Sequence, residues 1–444
     1  MSRHNRIARN HRAVLRSPHA GLDRRGFLGM SFPSALAMTL ASRWGSANDG
    51  TPTPQRGDDH RLILLWLNGG PSHVDSFDPK TNCEEAGPYS RIQTRVPGLY
   101  FTDRLPKLAD RANQLTVLRG LTGVEPEHNR ARYYATTGSR PRASLDSPTL
   151  GAIVSHELGS VPMSNIDRHG LPAFVNIGYV GWNGPGFLGV EHSPFTVLDP
   201  EQRPINIDPP GGVDLRRFDH RLELLAKFEA GGENLAANTK RNERAIARQN
   251  AVALMRSRQL AAFEIAREKA DVRDRYGRSR FGQSCLLARR LVEAGVRFIQ
   301  VQHEGWDSHV ENFTTHDRLL GELDLGMSAL LDDLAERGLL ENTLVVAMGE
   351  FGRTPRINKN AGRDHHAIAF SAALAGGKLR PGVVHGQTDF KGNLVVKDRI
   401  TIPDFLATVL GAVNIDAQKQ ITTPANKPVQ LIDKGTPSRE LLES

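Results

Sequence analysis

The sequence predicts an α/β fold built on a mostly parallel sheet with helices on both faces. Leu62–Leu67 is an uninterrupted apolar run, which is typical of a strand that is buried on both sides. Two further strand-like runs, Val296–Val301 and Leu344–Met348, flank a helix-like stretch at Arg318–Arg337. Because strand, helix and strand alternate, the connections are crossovers, and crossovers join parallel strands.

The rest of the 444-residue chain adds elements of both kinds. Residues 178–212 are rich in Gly and Pro and predict surface loops, whereas residues 215–275 are rich in Ala, Glu and Arg and predict a helical insertion. Strands are predicted at Leu115–Leu118 and Pro172–Ile177, and Ala367–Ala375 fits either a strand or a short helix. Helices are predicted at Leu105–Asn113, Asn129–Thr136, Thr149–Leu158, Phe281–Glu293 and Pro403–Leu410.

The first 47 residues have the architecture of a signal peptide. A basic stretch ends in Arg24–Leu28, a mildly apolar run follows to Ala41, and the small residues of Gly45–Ala47 close the segment. The run is too short and too polar for a membrane span, so no stable span is expected in the mature protein. The paired arginines before x-Phe-Leu resemble the twin-arginine signal. We therefore expect the twin-arginine machinery to export the folded protein to the periplasm or cell envelope.

The distribution of charge argues against a nucleic-acid partner. The net charge of the chain is +8, but residues 1–47 hold eight arginines and one acid, Asp23, which leaves about +1 for the rest. Residues 48–60 are polar turn formers and predict a linker, so the main domain is expected over residues 61–444. Cys83 and Cys285 could form one disulfide or stay unpaired, and no cysteine spacing typical of zinc sites is present.

Polar clusters follow the predicted strands at the point where each strand ends. In a parallel sheet these ends lie at one edge, where ligands bind. Imidazole and carboxylate together suit zinc, manganese or iron, and calcium or magnesium if carboxylates dominate. Taken singly, each cluster also fits ordinary turn chemistry. Taken together, they predict one metal site, with His73, Asp75, Asp307, His309, Glu350, Asp364 and His365 as candidate ligands.

Three blocks of sequence carry a family resemblance. Leu64–Pro79, Gly349–Pro355 and Gly362–His366 resemble the exported sulfatase-like family known as domain of unknown function fifteen-oh-one, which is common in planctomycetes. That family resembles the alkaline phosphatase superfamily. The resemblance covers most of residues 60–415. It implies an alkaline phosphatase/sulfatase-like fold and hydrolysis of phosphate or sulfate esters, in which metals hold the ester oxygens and activate a Ser, Thr or modified Cys nucleophile, or a water.

The resemblance also implies roles for single residues. Asp307 and His309 match a late Asp-x-His metal pair, and His365 matches the final metal histidine. Glu350 stands at a strand end where relatives carry an Asp-His pair. Arg353 could hold an anionic ester oxygen or could be an ordinary surface arginine.

The sequence departs from the superfamily pattern at two kinds of position. Asn68 ends the first strand, where relatives usually place a metal-binding Asp, so Asp75 could replace it or that metal could be absent. Neither cysteine lies in the Cys-x-Pro-Ser-Arg context of sulfatases, which argues against a formylglycine nucleophile. Candidate nucleophiles are Ser72, Thr136 and Thr137, although Ser72 also fits a helix cap.

These departures leave more than one function open. The first is an exported, metal-dependent hydrolase whose substrate is a small-molecule or polysaccharide ester of phosphate or sulfate. The second is a catalytically inactive relative that binds a sulfated polysaccharide or another exported protein. The third is a structural protein of the cell envelope. Convergence of Asp307, Glu350 and His365 on one ion is what the first function requires.

Overall fold

The computed structural model describes residues 59–143, 145–159, 170–179, 184–205, 207–209, 211–229 and 235–443. The predicted signal peptide, and the predicted linker up to residue 58, lie outside the described residues. No helix among the described residues is both long enough and apolar enough to cross a membrane.

Strands and helices alternate along the described chain. The strands are β1 Arg61–Asn68, β2 Arg91–Gln93, β3 Tyr100–Thr102, β4 Leu115–Thr122, β5 Phe174–Ile177, β6 Phe195–Val197, β7 Phe298–Glu304, β8 Thr343–Met348, β9 Gly352–Arg353, β10 His365–His366, β11 Phe370–Ala375, β12 Val383–His385, β13 Gln387–Thr388, β14 Val395–Lys397, β15 Ile400–Thr401, β16 Gln420–Thr422 and β17 Pro428–Gln430. The α-helices are α1 Pro106–Asp110, α2 His128–Thr137, α3 Leu150–Leu158, α4 Leu215–Glu229, α5 Leu235–Met255, α6 Ala270–Arg275, α7 Arg280–Glu293, α8 Asn312–Glu336 and α9 Ile402–Ala412.

One large sheet organises the molecule. Its strands lie in the order β12-β4-β11-β8-β1-β7-β5-β6, and β15 adds to β4. All of them run in the same direction except β11, which is antiparallel to both β8 and β4. The chain reaches β11 from β8 through the β9–β10 hairpin, without a crossover helix, so it returns in the opposite direction. The prediction of a mostly parallel sheet is therefore confirmed.

Helices cover both faces of this sheet, as the sequence predicts. Alternate side chains of β1 point to opposite faces. Ile63, Leu65 and Leu67 join an apolar cluster that includes buried residues of α1, α7 and α8. Leu62 and Leu64 join a second cluster on the other face, which includes residues of α3 and α9. All five side chains are at most 2% exposed, which makes β1 the centre of the fold.

The structure decides one assignment that the sequence left open, at Ala367–Ala375, and differs in part from the prediction over residues 215–275. The segment that fits either a strand or a short helix is a strand, β11. The predicted helical insertion over residues 215–275 contains α4, α5 and α6, but short 3-10 turns replace the α-helix at Arg258–Phe263 and Ile265–Arg267. Cys83 and Cys285 are both unpaired.

Candidate metal centre

The carboxyl ends of three neighbouring parallel strands position the site. β1 lies between β8 and β7, and Asn68, the last residue of β1, pairs with Glu304, the last residue of β7. The loops that follow these strands therefore leave the sheet side by side. A fourth loop, after β4, leads to the N-terminus of α2, and the β9–β10 hairpin pairs His365 with Arg353.

Two glycines allow these loops to approach each other closely. Gly69 has a φ of +115°, and a Cβ at this position would lie 2.3 Å from the backbone nitrogen of Asp307. A Cβ on Gly362 would lie 1.9 Å from the carbonyl oxygen of His309. A larger residue at either position would push apart the segments that carry the site. The glycines of the conspicuous sequence blocks thus bring Asp307 and His309 against their neighbours.

Four side chains converge at this edge, and we call them the histidine cluster: His128, Asp307, His309 and His365. Ligand atoms of His128, Asp307 and His365 all lie within 4.8 Å of one another. Nε2 of His128 is 3.1 Å from Oδ2 of Asp307, and Nε2 of His365 is 3.6 Å from its Oδ1. Nε2 of His309 lies 3.2 Å from Oδ1 of Asp307 and 3.0 Å from Nε2 of His365. Every imidazole of the cluster thus presents Nε2 to the same carboxylate.

The other ring nitrogen, Nδ1, of each histidine is held by an oxygen outside the cluster. Nδ1 of His365 lies 2.6 Å from the carbonyl oxygen of Pro126, which can only accept a hydrogen bond, so this nitrogen carries the proton. Nδ1 of His128 lies 2.8 Å from Glu350, and Nδ1 of His309 lies 2.8 Å from Asp364. A neutral imidazole with its proton on Nδ1 has its lone pair on Nε2. Outer oxygens fix the orientation of metal-binding histidines in this way.

Two features of the cluster fit a cation. Nε2 of His128 is buried and forms no hydrogen bond with any described residue, although it lies near Asp307. In addition, Nε2 of His309 and Nε2 of His365 face each other at 3.0 Å. Two lone pairs at this distance repel each other unless a proton or a metal ion lies between them. Three imidazoles and one carboxylate are a donor set that zinc and other transition metals accept.

Asp307 is the charged centre of the cluster, and Arg353 holds it in place. Nη2 of Arg353 donates to Oδ1 of Asp307 over 2.6 Å. Burial alone would raise the pKa of Asp307, but the hydrogen bond and charge of Arg353, with the nearby histidines, outweigh it and lower the pKa below its ordinary value. Burial lowers the pKa of His365, which favours the neutral, metal-binding form. The Asp307 side chain is 46% exposed, so the centre is open to solvent.

Glu350 and Asp364 lie beside the cluster and support its histidines. Glu350 is 3% exposed, and its two oxygens accept hydrogen bonds from the backbone nitrogen of Gly69 at 3.1 and 3.2 Å. Asp364 accepts a second hydrogen bond, at 3.3 Å, from Nδ2 of Asn358. Their contacts with Nδ1 of His128 and of His309 make them orienting groups. The structure therefore brings Asp307, His309, Glu350, Asp364 and His365 to one site.

Ser72, His73 and Asp75 are not brought to the histidine cluster. Asp75 is fully buried and belongs to a group that we call the arginine network, which consists of Ser72, Asp75, Asn312, His316 and Arg363. Asp75 accepts from Nε and Nη2 of Arg363 at 2.7 and 2.9 Å and from Nδ2 of Asn312 at 2.9 Å. His316 accepts a hydrogen bond from the backbone nitrogen of Ser72 at 3.2 Å. His73 lies apart from both groups, with Nε2 2.8 Å from the carbonyl oxygen of Gly392.

The candidate threonine nucleophiles lie at the C-terminal end of α2. The hydroxyl of Thr136 donates to the carbonyl oxygen of Arg132 at 2.7 Å, and that of Thr137 donates to Tyr133 at 2.7 Å. The hydroxyl of Thr137 also accepts from the backbone nitrogen of Ser139 at 3.1 Å. These bonds close the last turn of the helix. His128, by contrast, begins the same helix.

His128 is not among the candidate ligands predicted from the sequence. The sequence did contain an indication of this role, because Glu127 and His128 follow strand β4 after a short loop, and helix α2 begins at His128. The carboxylate of Glu127 caps α2 by accepting from the backbone nitrogens of Asn129 and Arg130. A capping acid followed by a histidine is common in proteins without a metal, so only the position of α2 beside Asp307 distinguishes this one.

Comparison with known proteins identifies the family. Residues 59–442 match the family model described as "Protein of unknown function (DUF1501)", which confirms the family predicted from the sequence. No protein among those with curated functions matches the chain.

Solved structures similar to this chain include three at low sequence identity. Ps i-CgsB is 11% identical, with a TM-score of 0.40 over 85% of this chain and 74% of that one. PsFucS1 sulfatase from Pseudoalteromonas sp. is 12% identical, with a TM-score of 0.37 over 80% and 68%. A protein in the alkaline phosphatase superfamily from Vibrio parahaemolyticus is 11% identical, with a TM-score of 0.37 over 81% and 68%.

Proposed function

We propose that this chain, which belongs to the DUF1501 family of proteins of unknown function, is an exported, metal-dependent hydrolase of phosphate or sulfate esters. The observation that carries the proposal is the convergence of three imidazole Nε2 atoms on the carboxylate of Asp307. The ester class rests on the resemblance of this family, which the three sequence blocks identify, to the alkaline phosphatase superfamily. Export rests on the twin-arginine segment of residues 1–47.

The donor set narrows the choice of metal among zinc, manganese and calcium. Calcium takes six to eight oxygen ligands, and magnesium also prefers oxygen. His128, His309 and His365 supply nitrogen, which favours zinc over manganese, because manganese, like calcium, prefers oxygen ligands. When bound, such an ion supplies a Lewis acid for an ester oxygen and lowers the pKa of water.

The chain's own residues supply position and charge. Arg353 keeps Asp307 ionised and oriented, and Glu350, Asp364 and the carbonyl of Pro126 fix the histidines. Hydrolysis joins a water oxygen to phosphorus or sulfur, breaks the ester bond, and releases an alcohol and an inorganic anion. The open face of the cluster gives an ester access to this position.

Elemental analysis and an ester panel test the proposal together. We expect the purified full chain to contain near-stoichiometric zinc and to hydrolyse aryl phosphate or aryl sulfate. Asp307→Ala should lose the metal and the turnover, because it removes the only anionic ligand of the cluster. Asp317→Ala is the matched control, since Asp317 is an exposed carboxylate that pairs with Arg104. A metal-replete wild-type protein that is inert on a broad panel would overturn the hydrolase proposal.

A further inference from the structure

One turn of α2 separates Arg132 from His128, which places both side chains on one face of the helix. Nε of Arg132 lies 3.4 Å from Oε1 of Glu350, the same oxygen that contacts Nδ1 of His128. A single carboxylate therefore separates the guanidinium of Arg132 from a cluster histidine. The sequence analysis gave no role to this arginine.

Arg353, the arginine that the sequence pointed to, is already fully engaged. It is 0% exposed. Its Nε donates to the carbonyl oxygen of Gly70 at 3.0 Å, its Nη1 donates to that of Arg363 at 3.1 Å, and its Nη2 donates to Asp307 and to the carbonyl oxygen of Gly69. A guanidinium has five N–H donors in a fixed plane, so little is left for a ligand. Arg353 is a positioning residue for Asp307.

Arg132 has donors to spare. Its side chain is 25% exposed, and its buried Nε forms no hydrogen bond despite the nearby charge of Glu350. Neither Nη1 nor Nη2 forms a hydrogen bond with another described residue. The pair of Nη groups is the part of a guanidinium that binds two oxygens of a phosphate or sulfate at once. Arg132 thus combines an open donor pair with a position beside the metal centre.

We infer that Arg132 binds two unesterified oxygens of the substrate and so selects monoesters over diesters. This inference rests on the proposed function. The two Nη groups of Arg132 would take two unesterified oxygens, and the histidine cluster would hold the ion that could take a third. A phosphate monoester or a sulfate ester has three such oxygens, whereas a phosphate diester has two. A diester would therefore have to share an oxygen between the ion and the arginine, which weakens its binding.

The test measures binding of inorganic phosphate and inorganic sulfate by calorimetry to the metal-loaded full chain. Arg132→Ala should weaken binding of the preferred anion by about 10- to 100-fold, because hydrogen bonds to charged groups are lost. Arg132→Lys should restore part of the anion affinity, because the ammonium group of lysine still acts as a positive point charge. Arg130→Ala is the matched control, since Arg130 lies two residues away on α2, is 58% exposed and pairs with Glu125. Metal content should be unchanged in all three variants.

A second readout addresses the choice of ester. The same Arg132→Ala substitution should lower kcat/KM for aryl monoesters by a similar factor and for a bis-aryl phosphate by less than about threefold. If Arg132→Ala keeps its metal and binds both anions as the wild type does, the arginine inference is overturned while the hydrolase proposal stands. If the wild type holds no metal and binds neither anion, the hydrolase proposal fails and the arginine inference fails with it.

Discussion

Two polar groups at the same edge of the sheet look alike in sequence and differ in structure. The histidine cluster and the arginine network each combine an Asp with His side chains from segments that are distant in sequence, and an arginine bonds to each Asp. In the arginine network both oxygens of Asp75 accept hydrogen bonds, from Arg363 and Asn312, and the carboxylate is sealed from solvent. In the histidine cluster Nε2 of His128 is buried without a hydrogen bond.

This contrast separates a structural polar group from a candidate metal centre. Residue types do not decide it, because both groups contain imidazole and carboxylate, and an arginine bonds to the carboxylate of each. The deciding property is whether the lone pairs of the carboxylate and imidazole groups are used within the protein. Arg363 uses those of Asp75, whereas the Nε2 atoms of the histidine cluster are oriented from behind and left for a ligand.

Breaking the arginine network should have the largest effect on stability. Asp75→Ala leaves the guanidinium of Arg363 buried without its carboxylate, which we expect to lower the free energy of unfolding by about 3 to 5 kcal/mol. Urea denaturation of the metal-free protein measures this. The double substitution Asp75→Ala with Arg363→Met should recover part of the loss, because it removes the uncompensated charge as well. A single Asp75→Ala variant as stable as the wild type would show that the network is not structural.

Acid should weaken the fold through two buried histidines that lie outside the histidine cluster. Burial lowers the pKa of His316 and the pKa of His73 to about 4 each, from an ordinary value of 6.5. Both side chains are neutral in the folded protein at neutral pH. Below pH 6.5 the unfolded chain takes up protons that the folded chain does not, so stability falls between pH 6.5 and about 4 and is unaffected by these groups above that range.

The size of the acid effect can be checked with one variant. Each histidine should contribute a loss on the order of 3 kcal/mol by pH 4. His316→Gln removes the titrating group and keeps an amide that can bond to its neighbours. Urea denaturation in the presence of a chelator, at pH 7 and at pH 4.5, should therefore show a smaller pH dependence for His316→Gln than for the wild type. An identical pH dependence in the two proteins would contradict the prediction.

Loosening one outer support of the histidine cluster should weaken metal binding without unfolding the protein. Asp364→Asn replaces the carboxylate that holds Nδ1 of His309, and loss of such an outer group typically costs 10- to 100-fold in metal affinity. Titration of the variant with zinc against a fluorescent chelator measures this. Asp317→Asn is the control, since Asp317 lies outside the cluster. Equal zinc affinity in Asp364→Asn and the wild type would contradict the role given to the Asp364 carboxylate.

The sequence predicted the fold more completely than it predicted the site, and the reason is physical. Leu62–Leu67 shows its burial in its own composition, because a strand covered on both faces must be apolar at every position. The convergence of Asp307 and His365 could be expected, because both follow strands at one edge. The place of His128 in the cluster could not be expected, since its position depends on how α2 packs. Asp75 appeared to be a ligand because its partner Arg363 is 288 residues away.

The smallest effect is expected at the candidate serine and threonine nucleophiles. Ser72 is 0% exposed within the arginine network, and the hydroxyl of Thr137 bonds to backbone atoms at the end of α2. Neither hydroxyl contacts the histidine cluster, so Ser72→Ala and Thr137→Val should each keep the metal and stay within about twofold of wild-type turnover. Thr137→Val should lose about 1 kcal/mol of stability, the typical value of one hydrogen bond. Steady-state kinetics with elemental analysis decides the point, because a variant that kept its metal but lost turnover would identify its hydroxyl as the nucleophile and would join the two groups into one active site.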